Sequence, residues 1–221
     1  MRILSYLKEI WRGKDTYRIL MNDVCQKYTL KGQILDLGSG ANLASYHRFF
    51  KKADDAKIVS FDLMMDQAER KDAKQIDFEK DSLPLDDNSV DIVLIFNLLE
   101  HIYNDSALIK EMKRVLRGGG EVVGSVPFLV GYHADPHDYW RYTSESLKKI
   151  FSYYGFSDMK VEVIGKGPFT AGFLQIEFVL PRVLKILVVP VVFFLDKLLF
   201  LFKPKLNREK FALGLFFALK K

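Results

Sequence analysis

Short apolar runs alternate with longer amphipathic stretches along the middle of this chain of 221 residues, and this alternation restricts the folds it can adopt. Strand–helix alternation is typical of a parallel sheet with helices on both faces. The helical stretches are residues 42–50, 64–71 and 104–116, and glycines 118–120 are expected to end the last of them. The strand-like runs are QILDL at 33–37, KIVSF at 57–61, KQID at 74–77, VDIVLIF at 90–96 and EVVGSV at 121–126.

Residues 143–219 extend this pattern by one helix and two strands. Thr143 can N-cap a helix over residues 144–154, and Gly155 can end it. Residues 159–163 alternate apolar and charged side chains, as a half-exposed strand does, and residues 211–219 have the composition of a last strand. The pattern therefore predicts a single domain, residues 1–221, built on seven strands.

Two segments lie outside the alternation. Residues 1–31 predict a helical extension with an apolar stripe between Ile3 and Trp11, and residues 168–206 form an insertion far longer than an ordinary connection. The uncharged run of the insertion, residues 186–195, is much shorter than the roughly twenty residues that a membrane span needs.

We expect Pro181 and Pro190 to divide the insertion into two shorter helices, which favours peripheral membrane contact through residues 173–206. A cap over the active site and a dimer surface remain alternatives, and a true span is the least favoured. The basic residues expected to meet anionic headgroups are Lys203, Lys205, Arg208 and Lys210.

The chain is basic at its ends. Residues 1–31 hold seven basic and three acidic side chains, and residues 203–221 hold six and one, although the net charge of the whole chain is only +5. An acidic middle between basic ends argues against a nucleic-acid partner and suits an anionic membrane surface. The single cysteine, Cys25, and an N-terminus without the pattern of a secretory signal predict a cytoplasmic protein, at the inner face of the membrane.

The loop after the first strand has the composition of a ligand site. Gly38 and Gly40 allow a ligand to approach the backbone closely at the point where the sheet opens. Asp62 ends the second strand, where a carboxylate can accept hydrogen bonds from both ribose hydroxyls. A dinucleotide is not supported, because its fingerprint needs Gly or Ala where this chain has Leu43. The pattern favours a nucleoside without phosphates.

Taken in order, the motifs of the chain resemble those of class I S-adenosylmethionine-dependent methyltransferases of the type 11-like kind. The resemblance covers roughly residues 30–165 and the last strand, and rests on ILDLGSG, SFD, DFEKDSLPLDDNSVDIV, NLLEHI and MKRVLRGGGEVVGSVP. It implies an α/β, Rossmann-like fold: a seven-stranded, mostly parallel sheet with helices on both faces and an antiparallel last strand. The apolar helical insertion precedes that last strand.

The resemblance also implies S-adenosyl-L-methionine as the cofactor. The glycine loop would contact its methionine and ribose part, the acid after the second strand its ribose, and the acid after the third strand its adenine. One departure is Asn42, where many members have a third glycine, although Asn tolerates left-handed backbone. The implied cofactor residues are Asp36, Gly38, Ser39, Gly40, Asp62, Leu63, Asp77, Phe78 and Asn97.

Residues 133–143, HADPHDYWRYT, follow the fifth strand, so we expect them beside the reactive end of the cofactor. No metal is assigned to them, because Pro136 constrains the loop and no ligand is evident beyond its own histidines and aspartate. A structural interpretation pairs Asp138 with Arg141 and packs the aromatic rings. The alternative is an acceptor clamp, with His137 or His133 as the catalytic base and the substrate pocket shaped by Tyr139, Trp140 and Arg141.

Family members with a motif like PHDYWRYT look similar to enzymes of bacterial cell-surface saccharide pathways. We therefore expect methyl transfer to an amphipathic or membrane-attached small molecule, first of all a hydroxyl of a glycan or lipid-linked saccharide. An isoprenoid or quinone-like phenol is a second acceptor class. A catalytically silent, membrane-associated binding protein that keeps the fold is the alternative of another kind, and homo-oligomerisation stays open.

Overall fold

The computed structural model describes residues 3–40, 44–63 and 73–221. Within these ranges the central sheet contains β1 (Gln33–Leu37), β2 (Lys57–Asp62), β3 (Ala73–Gln75), β4 (Val90–Phe96), β5 (Leu116–Pro127), β6 (Ser157–Ile164) and β7 (Gly214–Lys220). The α-helices are α1 (Ile3–Trp11), α2 (Thr16–Cys25), α3 (Ser106–Val115), α4 (Ser144–Tyr153), α5 (Pro168–Ile176) and α6 (Arg182–Phe202). Short 3₁₀ turns occur at Ser45–Arg48, Leu99–His101, Glu177–Val179 and Arg208–Phe211.

The strands of the central sheet are ordered β3-β2-β1-β4-β5-β7-β6. Neighbours from β3 to β5 pair in parallel, and β7 runs antiparallel to both β5 and β6. The predicted mostly parallel, seven-stranded sheet with an antiparallel last strand is therefore confirmed. The strand order reverses at β1 and β4, and ligands of open α/β sheets bind outside the carboxyl ends of the strands at such a point.

Helices cover both faces of the sheet, because alternate residues of each strand point to opposite sides. On one face, Leu35 and Leu37 of β1 pack in a core with residues of α3 and α4. On the other face, Ile34 belongs to a second core that includes residues of α1, α2, α5 and α6. The N-terminal extension and the insertion therefore share one layer against the sheet.

Two buried acids tie this layer together. Glu177 accepts hydrogen bonds from the backbone N–H and the hydroxyl of Thr16, at 2.9 and 2.7 Å, and so caps the start of α2. Asp196 accepts from the backbone N–H groups of Phe169 and Thr170, both at 2.9 Å, at the start of α5. Since the first N–H groups of a helix lack partners within the helix, both acids satisfy donors that would otherwise be unpaired.

The insertion differs from the prediction of two short helices. Pro181 is the N-cap of α6, and Pro190 lies inside α6, which continues for 21 residues from Arg182 to Phe202. Proline removes one backbone hydrogen bond but does not end a helix that packing holds in place. Here Val189 and Val192, on either side of the proline, are buried in the second core. In the described parts of the chain, no helix combines the length and the continuous apolar character required to cross a membrane.

Other predicted elements differ in part. Residues 44–50 contain only the 3₁₀ turn Ser45–Arg48 instead of the predicted helix, because Tyr46 and His47 point into a buried hydrogen-bond network. The predicted helix over residues 64–71 lies outside the described residues, as do Asn42 and Leu43. Helix α3 ends at Val115, before glycines 118–120, which lie within β5 at a shift of its register with β4.

Candidate cofactor and acceptor site

A cavity of about 390 Å³ opens at the carboxyl ends of the parallel strands. Residues from two separate groups of predictions meet in it. The predicted cofactor residues in its lining are Gly38, Gly40, Asp62, Leu63, Asp77, Phe78 and Asn97. The loop after β5 contributes Asp135, Pro136 and His137. The volume lies within the roughly 300–1,000 Å³ that is usual for ligand pockets.

The two glycines of the loop after β1 have backbone conformations that other residues rarely adopt. The φ angles of Gly38 and Gly40 are +74° and +75°. A Cβ atom on Gly38 would also come within 3.0 Å of the Leu98 side chain. Glycine is therefore required at Gly38 both for the turn and for the close approach of Leu98.

Asp62 joins the glycine loop to the end of β2. Its side chain is 8% exposed, and its Oδ2 accepts a hydrogen bond of 2.7 Å from the backbone N–H of Gly40. An ionised carboxylate offers about four acceptor sites on its two oxygens. The Asp62 carboxylate therefore holds the loop and is itself part of the cavity lining.

Asp77 and Phe78 follow β3 and form another wall of the cavity. The Lys80 ammonium lies 2.7 Å from the Asp77 carboxylate and lowers the pKa of Asp77, so this acid is ionised at neutral pH. Phe78 is buried and presents an apolar ring beside that charge. Together they can accept a hydrogen bond from an exocyclic amine and pack against a purine.

Asn97 follows β4, and two side-chain hydrogen bonds hold it. Its φ angle is +50°, a left-handed conformation that Asn tolerates better than most residues. Its Oδ1 accepts hydrogen bonds from the hydroxyls of Tyr17, at 2.6 Å, and Ser125, at 3.2 Å. Burial raises the pKa of the Tyr17 hydroxyl, which therefore stays protonated and donates. The extension, through α2, thus positions a residue of the cavity.

Two predicted cofactor residues do not line the cavity. Asp36 is fully buried on the other face of β1, where its carboxylate contacts the Tyr46 hydroxyl at 2.8 Å and the Nε2 of His47 at 2.6 Å. Alternation along the strand explains this, because Asp36 faces the same side as Ile34. Ser39 is also buried and absent from the lining.

One part of loop 133–143 lines the cavity, and another part stabilises the loop from within. His137 is exposed and lines the cavity beside Pro136. Arg141 is directed into its own loop: it donates two hydrogen bonds to Asp138, at 2.5 and 2.8 Å, and reaches the carbonyl of Val130 at 3.3 Å. The guanidinium lowers the pKa of Asp138 to about 2. The Asp138–Arg141 pair therefore shapes the loop from within and stays ionised at neutral pH.

The aromatic residues of this loop pack against the turn that follows β4. Trp140 stacks on Tyr103 with ring centroids 5.7 Å apart, and its indole N–H donates to the carbonyl of Ile102 at 3.1 Å. Tyr139 contacts Tyr103 edge-on at 5.3 Å. Trp140 and Tyr139 do not line the cavity but keep 41% of their surfaces exposed beside it. The predicted N-cap of α4 by Thr143 is confirmed.

Sequence reasoning missed two residues of this region, Glu100 and His101, in the turn after β4. His101 lines the cavity, and the buried Glu100 carboxylate lies 3.7 Å from the Nε2 atoms of His101 and His133. This carboxylate raises the pKa of His133. The available signal was the sequence NLLEHI, which places an acid and a histidine directly after a buried strand at the sheet opening.

Comparison with known proteins identifies relatives of the central part of the chain. The sequence matches the methyltransferase domain family over residues 35–124. A probable S-adenosylmethionine-dependent methyltransferase of Mycobacterium tuberculosis is 29% identical over 92 residues, which cover 39% of this chain and 34% of that protein. The demethylmenaquinone methyltransferase of Anoxybacillus flavithermus is 38% identical over 74 residues, which cover 32% of this chain and 31% of that protein. The chain thus matches about a third of the length of these relatives.

Solved structures share the fold over most of the chain. A methyltransferase from Archaeoglobus fulgidus superposes with a TM-score of 0.59 and 16% identity, covering 92% of this chain and 94% of that one. Phosphoethanolamine N-methyltransferase 2 of Haemonchus contortus, in complex with S-adenosylmethionine, superposes with a TM-score of 0.56 and 19% identity. The match covers 92% of this chain and 52% of that one. A [4+2]-cyclase superposes with a TM-score of 0.59 and 18% identity, and the match covers 91% of this chain and 79% of the cyclase. Such low identities show the fold alone. Over residues 35–124 the sequence is similar to the methyltransferase domain family, and over most of the chain the fold is that of solved S-adenosylmethionine-dependent methyltransferases.

Proposed function

We propose that this protein transfers a methyl group from S-adenosylmethionine to a hydroxyl of an amphipathic, membrane-attached small molecule. The observation that carries the proposal is the cavity at the carboxyl ends of β1, β2 and β4. There the glycine loop and the acids after β2 and β3 face the loop that follows β5. Residues of a nucleoside site and of an acceptor wall thus share one space.

The lining fits this cofactor. Asp62 supplies a carboxylate for ribose hydroxyls, Asp77 and Phe78 supply an acceptor and an apolar ring for adenine, and Gly38 and Gly40 leave room at the backbone. When bound, the cofactor supplies a methyl group that its sulfonium already activates. The protein therefore has to orient an acceptor and remove a proton, and orientation alone contributes roughly 7–11 kcal/mol.

His137 is the residue that we assign to proton removal. It is exposed, lines the cavity and belongs to the loop that would hold the acceptor. Histidine is the side chain that most often acts as a general base in enzymes. Tyr139 and Trp140 border this region with partly exposed rings and suit the apolar faces of a sugar or an isoprenoid. Arg141 supports these residues through Asp138 and does not contact the acceptor.

An apolar stripe on α6 supports membrane attachment. The side that packs on the fold carries the buried Val189, Val192 and Phe200, whereas the opposite side exposes large apolar residues at helical spacing. Contiguous apolar surface is uncommon on proteins without an interaction there. Lys203 and Lys205 are exposed at the end of the helix, and Arg208 lies 4.0 Å above the Phe200 ring. The stripe consists of Val183, Leu187, Val191, Phe194, Leu198, Leu201 and Phe202.

From this stripe we propose that the protein works at the inner, cytoplasmic face of a membrane and takes a lipid-linked saccharide as its acceptor. A second acceptor class, an isoprenoid or quinone-like phenol, is favoured by the similarity of 74 residues to a demethylmenaquinone methyltransferase. Both classes combine a reactive hydroxyl with an apolar tail. A second copy of the chain on the stripe is the alternative to membrane contact.

Methyl transfer is tested by incubating the purified protein with methyl-labelled S-adenosylmethionine and membrane lipid extracts. We expect label in the lipid fraction, and in lipid-linked saccharides more than in quinones. The control is the same protein with Gly38→Val, because a side chain at that φ angle and beside Leu98 disrupts the loop. Binding of S-adenosylhomocysteine without transfer to any extract would favour a catalytically silent binding protein.

A further inference from the structure

The turn after β4 buries a carboxyl group that makes no hydrogen bond within the described part of the chain. Glu100 is 0% exposed, and neither of its carboxylate oxygens has a hydrogen-bond partner among the described residues. Its backbone carbonyl accepts hydrogen bonds from the N–H groups of Tyr139 and Trp140, at 2.8 and 3.3 Å, so loop 133–143 covers the residue. An ionised carboxylate is stable in such a place only when a cation compensates its charge.

Two imidazoles point at this carboxylate. The Nε2 atoms of His101 and His133 each lie 3.7 Å from Oε1 of Glu100. The Nδ1 atoms of both rings contact backbone carbonyls, that of His101 at the carbonyl of His137, at 2.5 Å, and that of His133 at the carbonyl of Gly131, at 2.9 Å. Because a carbonyl can only accept, each Nδ1 carries the proton. The Nε2 atom of each ring is therefore the one left facing Glu100.

We propose that Glu100, His101 and His133 form a binding site for a divalent transition-metal ion. Ligand atoms of these three residues lie within 4.8 Å of one another. Bonds of about 2.1 Å separate the ligands of a tetrahedral ion by about 3.4 Å, so the Nε2–Oε1 spacings need to shorten only slightly. Anchoring of the second ring nitrogen by a carbonyl is the usual arrangement at histidine metal ligands. Two imidazoles and one carboxylate favour ions such as zinc over magnesium or calcium.

The site lies at the wall of the cavity, because His101 contributes to its lining. Three protein ligands leave a coordination position free for an oxygen from water or a substrate, as in catalytic zinc sites. A hydroxyl held there loses its proton more readily than a free one, and the proton passes to His137 or to water. Only this role rests on the proposed methyl transfer, whereas the metal site itself is independent of it.

The direct test is calorimetric titration of zinc into the protein, residues 1–221, after treatment with a chelator. We expect one zinc ion per chain in the wild type. His133→Ala removes a ligand whose side chain is 38% exposed, and should weaken zinc binding at least about 10-fold. Glu100→Gln should weaken it similarly. The matched control is His137→Ala, which removes a histidine from the same loop but keeps the carbonyl that accepts from His101, and should bind zinc as the wild type does.

Absence of zinc binding to the wild type would overturn the proposal, and so would equal affinity in His133→Ala and the wild type. Loss of zinc binding in His137→Ala would also overturn it, because that histidine lies outside the assigned ligand set. If Glu100→Gln does not fold, the zinc affinity of His133→Ala still tests the proposal. A parallel titration with S-adenosylhomocysteine separates the two proposals. Zinc binding without nucleoside binding supports the metal site and contradicts methyl transfer, and the reverse result contradicts the metal site alone.

Discussion

At the scale of single residues, the Asp62 carboxylate connects the glycine loop to the end of β2 through Gly40. We predict that Asp62→Ala weakens binding of S-adenosylhomocysteine by about 10- to 100-fold, because hydrogen bonds to a charged group contribute roughly 1.5–3 kcal/mol. Calorimetry measures the change. Asp55→Asn, in the exposed turn before β2, is the control and should bind normally. Near-normal affinity in Asp62→Ala would remove the ribose assignment.

Also at the residue scale, a variant of His137 distinguishes cofactor binding from the methyl-transfer step. His137→Ala should lower the rate of methyl transfer by about 10²–10⁴-fold while S-adenosylhomocysteine affinity stays unchanged, since a general base typically contributes that much. The measurement is kcat with saturating acceptor. The control is Tyr132→Ala, an exposed aromatic residue of the preceding segment, which should keep wild-type kcat. An unchanged kcat in His137→Ala would show that another group removes the proton.

The sequence identified most residues of the cavity but not their partners. Gly38, Gly40 and Asp62 were predictable because each lies at or just after the end of a strand, at the same edge of a parallel sheet. The placement of Asp36 was not predictable. Its side chain points to the face of β1 that is covered by the N-terminal extension and the insertion, and the motifs do not describe that layer. The juxtaposition of Glu100 with His133 depends on how the loop after β5 folds over the turn after β4.

At the scale of elements, buried acids fix where helices begin. Asp196 in α6 accepts two backbone N–H groups and the Thr170 hydroxyl at the start of α5. Asp196→Ala should lower the free energy of unfolding by about 2 kcal/mol, because helix donors lose a charged acceptor. Urea unfolding provides the measurement, with the exposed Asp54→Ala as control. Equal stability of Asp196→Ala and the wild type would show that the cap contributes nothing.

Element boundaries were predictable where local chemistry decides them and not where tertiary packing does. Thr143 caps α4 as its sequence predicts, through a local hydrogen bond to the N–H of Ser146. Pro190, which should end a helix in isolation, lies inside α6 because the residues around it, from Ile186 to Phe193, pack on the second core. The predicted α-helix near Tyr46 is absent because the hydroxyl of that tyrosine donates a hydrogen bond to Asp36, ten residues earlier.

At the scale of the whole molecule, the extension and the insertion are parts of one layer. Tyr6 of α1 packs edge-on against Phe193 of α6, with ring centroids 4.9 Å apart, and Glu177, in the turn between α5 and α6, caps α2. Both segments bury side chains in the core that also contains β1, β4 and β7 residues. We therefore propose that residues 1–221 form a single domain in which neither segment is an independent appendage.

The exposed face of this layer predicts membrane association. Phe194 and Leu187 are 62% and 65% exposed on the α6 stripe. The double variant Leu187→Glu, Phe194→Glu should lower binding to phosphatidylserine-containing vesicles at least about 10-fold, because insertion would bury both side chains. Sedimentation with vesicles measures this. Tyr153→Glu, 82% exposed on α4, is the control. Unchanged sedimentation, or a dimer that the double variant dissociates, would assign the stripe to a second copy instead.

The central claim is that the cavity binds the methyl donor with its sulfur toward loop 133–143. A crystal structure with S-adenosylhomocysteine tests it most directly. We predict that both ribose hydroxyls contact Asp62, that adenine lies between Asp77 and Phe78, and that the sulfur faces His137. A nucleoside bound elsewhere, or an empty cavity at saturating ligand in crystals that leave its entrance open, would contradict this account.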